Sequence, residues 1–152
     1  MDSVVVELGP LALHAYNAWL LGGALAGLGI IGWRARRADP GRAARWLDVA
    51  LIALVAGVIG GRGLHVALDW DHFAAFPDQI ARLSLGGMAW HGALLAGLPA
   101  ALIAARLRGV PFRAWTDAAA LAWPLAMIAA WGGCRRAGCG AGYEVATLAG
   151  WP

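Results

Sequence analysis

Four long apolar runs constrain this chain more than any other feature. Leu11–Trp33 is interrupted only by His14 and Asn17, and Leu47–Leu68 contains Asp48, Arg62 and His65. The ionisable content of Met88–Ala105 is His91 alone, and that of Ala114–Gly133 is Asp117 alone. A helix needs ~20 apolar residues to cross the ~30 Å hydrocarbon layer. The alternation and paired turns of a transmembrane barrel are missing. The expected fold is therefore all-α, an integral membrane bundle of about four transmembrane helices. It forms one membrane domain over residues 1–152, with spans near 11–33, 47–68, 88–105 and 114–133 and loops at 34–46 and 106–113.

Composition agrees: 61% of residues are hydrophobic, against roughly 45–50% in ordinary soluble domains. The net charge of +3 does not point to nucleic acid, because the basic residues form no face or stripe free of apolar runs. All twelve are arginines, and their placement sets orientation. Arg34, Arg36, Arg37, Arg42 and Arg45 follow the first span, and Arg106, Arg108 and Arg113 follow the third. Arg82, Arg135 and Arg136 fall on the opposite side, so the positive-inside rule puts both arginine-rich loops in the cytoplasm and both termini outside. The opening "MDSVVVELGP" is acidic, unlike a leader's basic start, so the first span is expected to be retained.

Ionisable side chains inside spans are costly, and function is the default reading for them. In this topology His14 and Tyr16 open the first span, Arg62 and His65 close the second, and His91 opens the third, all toward the outer half of the membrane. Arg62 lies in "GVIGGRGLH", among Gly60 and Gly61, which allow close approach of a backbone or a lipid headgroup. A buried arginine can grip a phosphate through paired N–H donors, or it can be a structural arginine paired with carbonyls. His91 lies in "GGMAWHGALLAG" (86–97), where a neutral imidazole can accept a proton from a nucleophile. Gly86, Gly87, Gly92 and Gly97 read as room for a bulky substrate beside it. Asp117 reads as a partner for Arg113. Cys134 and Cys139 stand in "GGCRRAGCGAGYE" (132–144), whose glycines suggest a loop in which a disulfide, two free thiols or a redox pair could form. Two thiols and scattered histidines do not make a metal site, and no cofactor is expected.

These segments, in this order, resemble the prolipoprotein diacylglyceryl transferase family. "GPLALHAYNAW" (9–19) is similar to its first-span entry, with Tyr16 as the family's tyrosine. "GGRGLHVALDW" (60–70) is similar to its second-span arginine segment, with Arg62 matching. "GGMAWHGALLAG" is similar to its G-G-M-x-x-H-G-G-L segment, the most specific match, which puts the family's essential histidine on His91. "WTDAAALAWPL" (115–125) resembles the region of the following span. The family signature G-R-x-G-N-x-x-N-G-E falls on "AWGGCRRAGC" (130–139), where Trp131 stands at the arginine position. "GCGAGYEVATLAG" (138–150) resembles a cysteine-bearing variant of the family. The resemblance covers the N-terminal part of a typical member.

The resemblance implies a bacterial inner-membrane enzyme that moves a diacylglyceryl group from phosphatidylglycerol to the cysteine thiol of a lipoprotein precursor. The implied partners are phosphatidylglycerol, the precursor's signal segment and membrane lipids. His91 would act as base or thiol-orienting group, with Tyr16 as hydrogen-bond partner. Arg62, with Gly60, Gly61, Gly87 and Gly92, would hold the lipid phosphate, and Arg135, Arg136 and His65 would support. Two alternatives stand beside this: a silent relative that binds phospholipid or signal peptide, and a thiol-redox membrane protein using Cys134 and Cys139.

Overall fold

A computed structural model describes residues 4–8, 11–83 and 87–137, with backbone alone for 4–8, 11–15 and 137. The chain is dominated by long helices: α1 (Ala15–Ala38), α2 (Ala43–Leu68), α4 (Trp90–Arg108) and α5 (Phe112–Ala137), with a short α3 (Trp70–Ala75) between α2 and α4. The all-α class expected from the apolar runs holds. Among the described residues, three helical stretches are long and apolar enough to cross a membrane: Tyr16–Ala38, Pro40–Leu68 and Trp90–Arg108, with mean hydropathies of 1.3, 1.8 and 1.3. Helix α5 is equally long but outside that set, diluted by Asp117, Pro124 and its tryptophans.

Two expectations need correction. Leu11–His14, read as the start of the first span, is strand β2, paired antiparallel with β1 (Val4–Leu8). Leu8 opposes Leu11, so only two residues join the strands, and β-branched Val4, Val5 and Val6 favour the extended chain. The arginine-rich "loops" are largely helix. Helix α1 continues to Ala38 and α2 begins at Ala43, leaving Asp39 and a 3-10 turn at Pro40–Arg42. Helices outlast the apolar runs because arginine is a good helix former. Pro40, without an N–H, stops the first of them.

Contacts divide the chain into two compact units, one of residues 1–27 and 121–152 and one of residues 28–120. In the first, the start of α1 packs antiparallel on the end of α5 through small residues: Gly23 lies against Ala126 and Ala129, and Gly132 and Gly133 lie against Trp19 and Tyr16.

In the second unit, α2 and α4 run antiparallel at very close range. Gly60 and Gly92 face each other, Gly57 lies against Ala93, and Gly97 lies 3.1 Å (from an added Cβ) from the Ala53 carbonyl. At the far end Arg108 forms a salt bridge with Asp48, and Arg45 donates to the Arg108 carbonyl. Gly109, at φ 64°, closes α4 by donating to the Arg106 carbonyl while Val110 donates to Ala105, a left-handed cap that glycine adopts without strain. The core there comprises Trp46, Val49, Ala101, Ala104, Ala105, Trp115 and Ala118. The Trp115 indole donates to the Trp46 carbonyl at 3.1 Å.

The tight crossing gives a direct prediction. A Cβ at Gly92 would strike Gly60 backbone and Leu64, whereas one at Gly63 would meet open space. Gly92→Ala should therefore destabilise by about 1–3 kcal/mol, the usual cost of forcing atoms into a packed interface. Gly63→Ala should be neutral or stabilise by up to about 1 kcal/mol through helix propensity. Thermal unfolding in detergent compares the two, and equal midpoints would contradict this crossing.

Candidate lipid-facing site

Arg62 organises the connection between α2 and α4. It is 7% exposed, the only charged residue buried among the described residues. Its Nε donates to the Ile80 carbonyl at 2.9 Å and its Nη1 to Gly87 at 2.9 Å. Its Nη2 donates to Gln79 at 2.6 Å and to Arg82 at 3.4 Å. The guanidinium also lies 5.1 Å from the ring centroid of Phe73, within cation–π range. These contacts are those of an arginine paired with carbonyls. The fork that could hold a phosphate is committed to the chain's own carbonyls, which carry the partial negative charge that a buried cation requires.

Around this hub the local sequence explains the path of the chain. The Asp69 N–H donates to the His65 carbonyl at the end of α2, and α3 brings Phe73 inward to 4% exposure. Pro77 opens a 3-10 turn ending at Gln79, a position where its missing N–H costs nothing. The His72 ring nitrogen lies 3.0 Å from Gln79 Oε1, and His65 meets Phe73 edge-on with centroids 5.7 Å apart. Gly87, at φ 76°, turns the chain back against the His65 imidazole, where a side chain would collide. The Ala89 N–H then donates to the Gly61 carbonyl at 3.0 Å, and α4 begins at Trp90.

His91 follows directly on this anchored segment. It is exposed, in the first turn of α4, with its ring 3.7 Å (centroid to centroid) from that of Trp90. The glycines beside it do not provide the space expected of them. Gly92 and Gly97 close the α2–α4 crossing, Gly60 and Gly61 receive α4 and the segment before it, and Gly87 makes the turn. Gly86 lies outside the described residues.

The other candidates, Asp117 apart, fall in the first unit. Tyr16 is half-buried at the start of α1 against Gly133, and His14 ends β2, where only backbone is described. Cys134 is half-buried in α5 and disulfide-bonded. Cys139, the other cysteine of the sequence, lies outside the described residues. Of the three thiol states open at the sequence level, a bridged Cys134 is the one displayed. Arg135 and Arg136 are exposed in the last turn of α5. Asp117 is exposed and does not pair with Arg113 among the described residues. Sequence reading passed over Phe73 and the carbonyls of residues 79–82. Phe73 left no distinguishing sign, since it stands between two other aromatics, Trp70 and Phe76, in a segment of mixed polarity.

Long apolar helices, with a buried arginine and an exposed histidine at the connection between two of them, are the features of a membrane protein. The sequence family described as prolipoprotein diacylglyceryl transferase matches residues 3–150, and the chain belongs to that family. It is 35% identical to the phosphatidylglycerol–prolipoprotein diacylglyceryl transferase of Symbiobacterium thermophilum over 135 residues, covering 87% of this chain and 50% of that protein. A Bacillus velezensis protein of the same name is 29% identical over 123 residues, 79% of this chain and 44% of that protein. One from Synechococcus elongatus is 33% identical over 115 residues, 74% and 39% of the two chains. The chain thus spans about half the length of the curated relatives it matches.

Proposed function

We propose that this protein moves a diacylglyceryl group from phosphatidylglycerol to the cysteine thiol of a lipoprotein precursor, in the bacterial inner membrane. The family match over residues 3–150 is the observation that carries this reading. The reaction forms a C–S bond at the glyceryl carbon and breaks its C–O bond to phosphate, releasing glycerol phosphate. The thiol proton must leave first, because the thiolate is the nucleophile. His91 takes that proton or orients the thiol, a role consistent with its exposed ring. Tyr16 is a hydrogen-bond partner for substrate. Arg62 serves by fixing residues 79–82 and 87 ahead of His91, since a phosphate would have to displace at least one of its carbonyls. Charge for the leaving phosphate falls to Arg135 and Arg136, exposed in the last turn of α5 and without an ion pair among the described residues.

In this reading α5 is a fourth span, and both termini face outward. The arginines near the two tight connections, Asp39–Arg42 and Gly109–Pro111, face the cytoplasm, following the positive-inside bias. A second reading, a relative that binds phospholipid or signal peptide without transfer, is favoured by Trp131 at the position of the signature arginine. Complementation separates the two. In a bacterium depleted of its own diacylglyceryl transferase, expression of this chain should restore lipoprotein modification and growth. Absence of modified lipoprotein at normal expression would favour the silent relative.

A further inference from the structure

We propose that the start of α2 and the end of α1 form a second lipid site, which holds an anionic phospholipid by headgroup and acyl chain together. A groove of about 290 Å³ is lined by Leu28, Gly29, Gly32, Trp33 and Arg36 of α1 and by Leu47 and Leu51 of α2, near the lower end of the ~300–1,000 Å³ typical of ligand pockets. Its chemistry is divided along its length. Leucines and glycines form an apolar floor, and Trp33 and Arg36 stand at the end nearest the connection to α2. The Arg37 guanidinium lies 4.4 Å from the Trp33 ring centroid, bringing a second positive charge to that end.

The charge is not neutralised among the described residues. Arg34 and Arg36 have no hydrogen-bond or ion-pair partner among the described residues. The nearby acids are engaged elsewhere, Asp39 with Arg42 and Asp48 with Arg108. An arginine fork matches a phosphodiester in pairs of N–H bonds, and tryptophan favours the headgroup level of a bilayer. Gly29 leaves the floor open, since a Cβ there would meet nothing. An apolar channel with unneutralised guanidinium groups at one end therefore fits a lipid that carries net negative charge better than a zwitterionic one. All these residues lie in the unit of residues 28–120. None is assigned to the transfer reaction, so the site stands or falls independently of it.

The test uses the full chain in phosphatidylcholine nanodiscs containing increasing fractions of phosphatidylglycerol brominated in mid-chain, which quenches nearby tryptophan. Subtracting the signal of Trp33→Phe isolates Trp33 from the other eight tryptophans. Quenching of Trp33 should saturate at a lower mole fraction with brominated phosphatidylglycerol than with brominated phosphatidylcholine. Arg36→Gln should raise the half-saturating fraction about fivefold, the factor expected for one interfacial arginine. Gly29→Leu places a side chain in the open floor and should remove the preference. Equal quenching by the two lipids would overturn the proposal. So would a preference that survives Gly29→Leu, because that pattern describes arginines attracting headgroups without a bound chain.

Discussion

Replacing His91 by alanine should lower diacylglyceryl transfer by about 10²- to 10⁴-fold, the usual contribution of a positioned general base. The fold should not change, because the side chain is exposed, its ring contact is with the neighbouring Trp90, and alanine favours a helix. Unchanged thermal unfolding beside lost transfer would distinguish chemistry from structure. Added imidazole should restore part of the rate in His91→Ala if the ring carries a proton, and none if it only orients the thiol. Transfer by His91→Ala at the parent rate would remove His91 from the site.

Arg62→Gln should act in the opposite manner, on structure first. It strands the carbonyls of Gln79, Ile80, Arg82 and Gly87, and removes the cation over Phe73. Each hydrogen bond to a charged group is worth about 1.5–3 kcal/mol, but these carbonyls lie in a connection that water can reach. The net loss is therefore set at about 2–4 kcal/mol, the cost of one or two such bonds left unmade. Hydrogen exchange localises it: the amides of residues 79–93, including the Ala89 N–H bonded to Gly61, should exchange faster while those at the far end of α4 keep their protection. Arg62→Lys should not rescue, since an ammonium cannot reach several carbonyls in the geometry of a planar fork. Unchanged exchange in residues 79–93 would show that Arg62 does not hold the segment.

The contrast between these two residues shows what the sequence could and could not convey. Membrane helices were legible because about twenty apolar residues in a row admit few other structures. Their ends were less so, since arginine prolongs a helix beyond the apolar run and Asp39 and Pro40 decide the stop. The strand at Leu11–His14 was hidden by its apolarity, which suits a span equally well. His91 and Arg62 stood out as ionisable groups in apolar runs, yet their environments differ entirely. The partners of Arg62 are backbone carbonyls 17 to 25 residues away, and carbonyls leave no mark on residue type. The glycines misled for a related reason. A glycine beside a histidine looks the same in sequence whether it admits a substrate or a facing helix, and at Gly60 and Gly92 it admits the helix.

The most direct measurement of the central claim is the mass of a lipobox peptide after incubation with the full chain in phosphatidylglycerol liposomes. The expected result is a peptide heavier by one diacylglyceryl group on its cysteine, with glycerol phosphate released in equal amount and neither product formed by His91→Ala. An unmodified peptide in liposomes where the folded chain still binds phosphatidylglycerol would contradict it, and would leave a lipid-binding member of the family that does not perform the transfer.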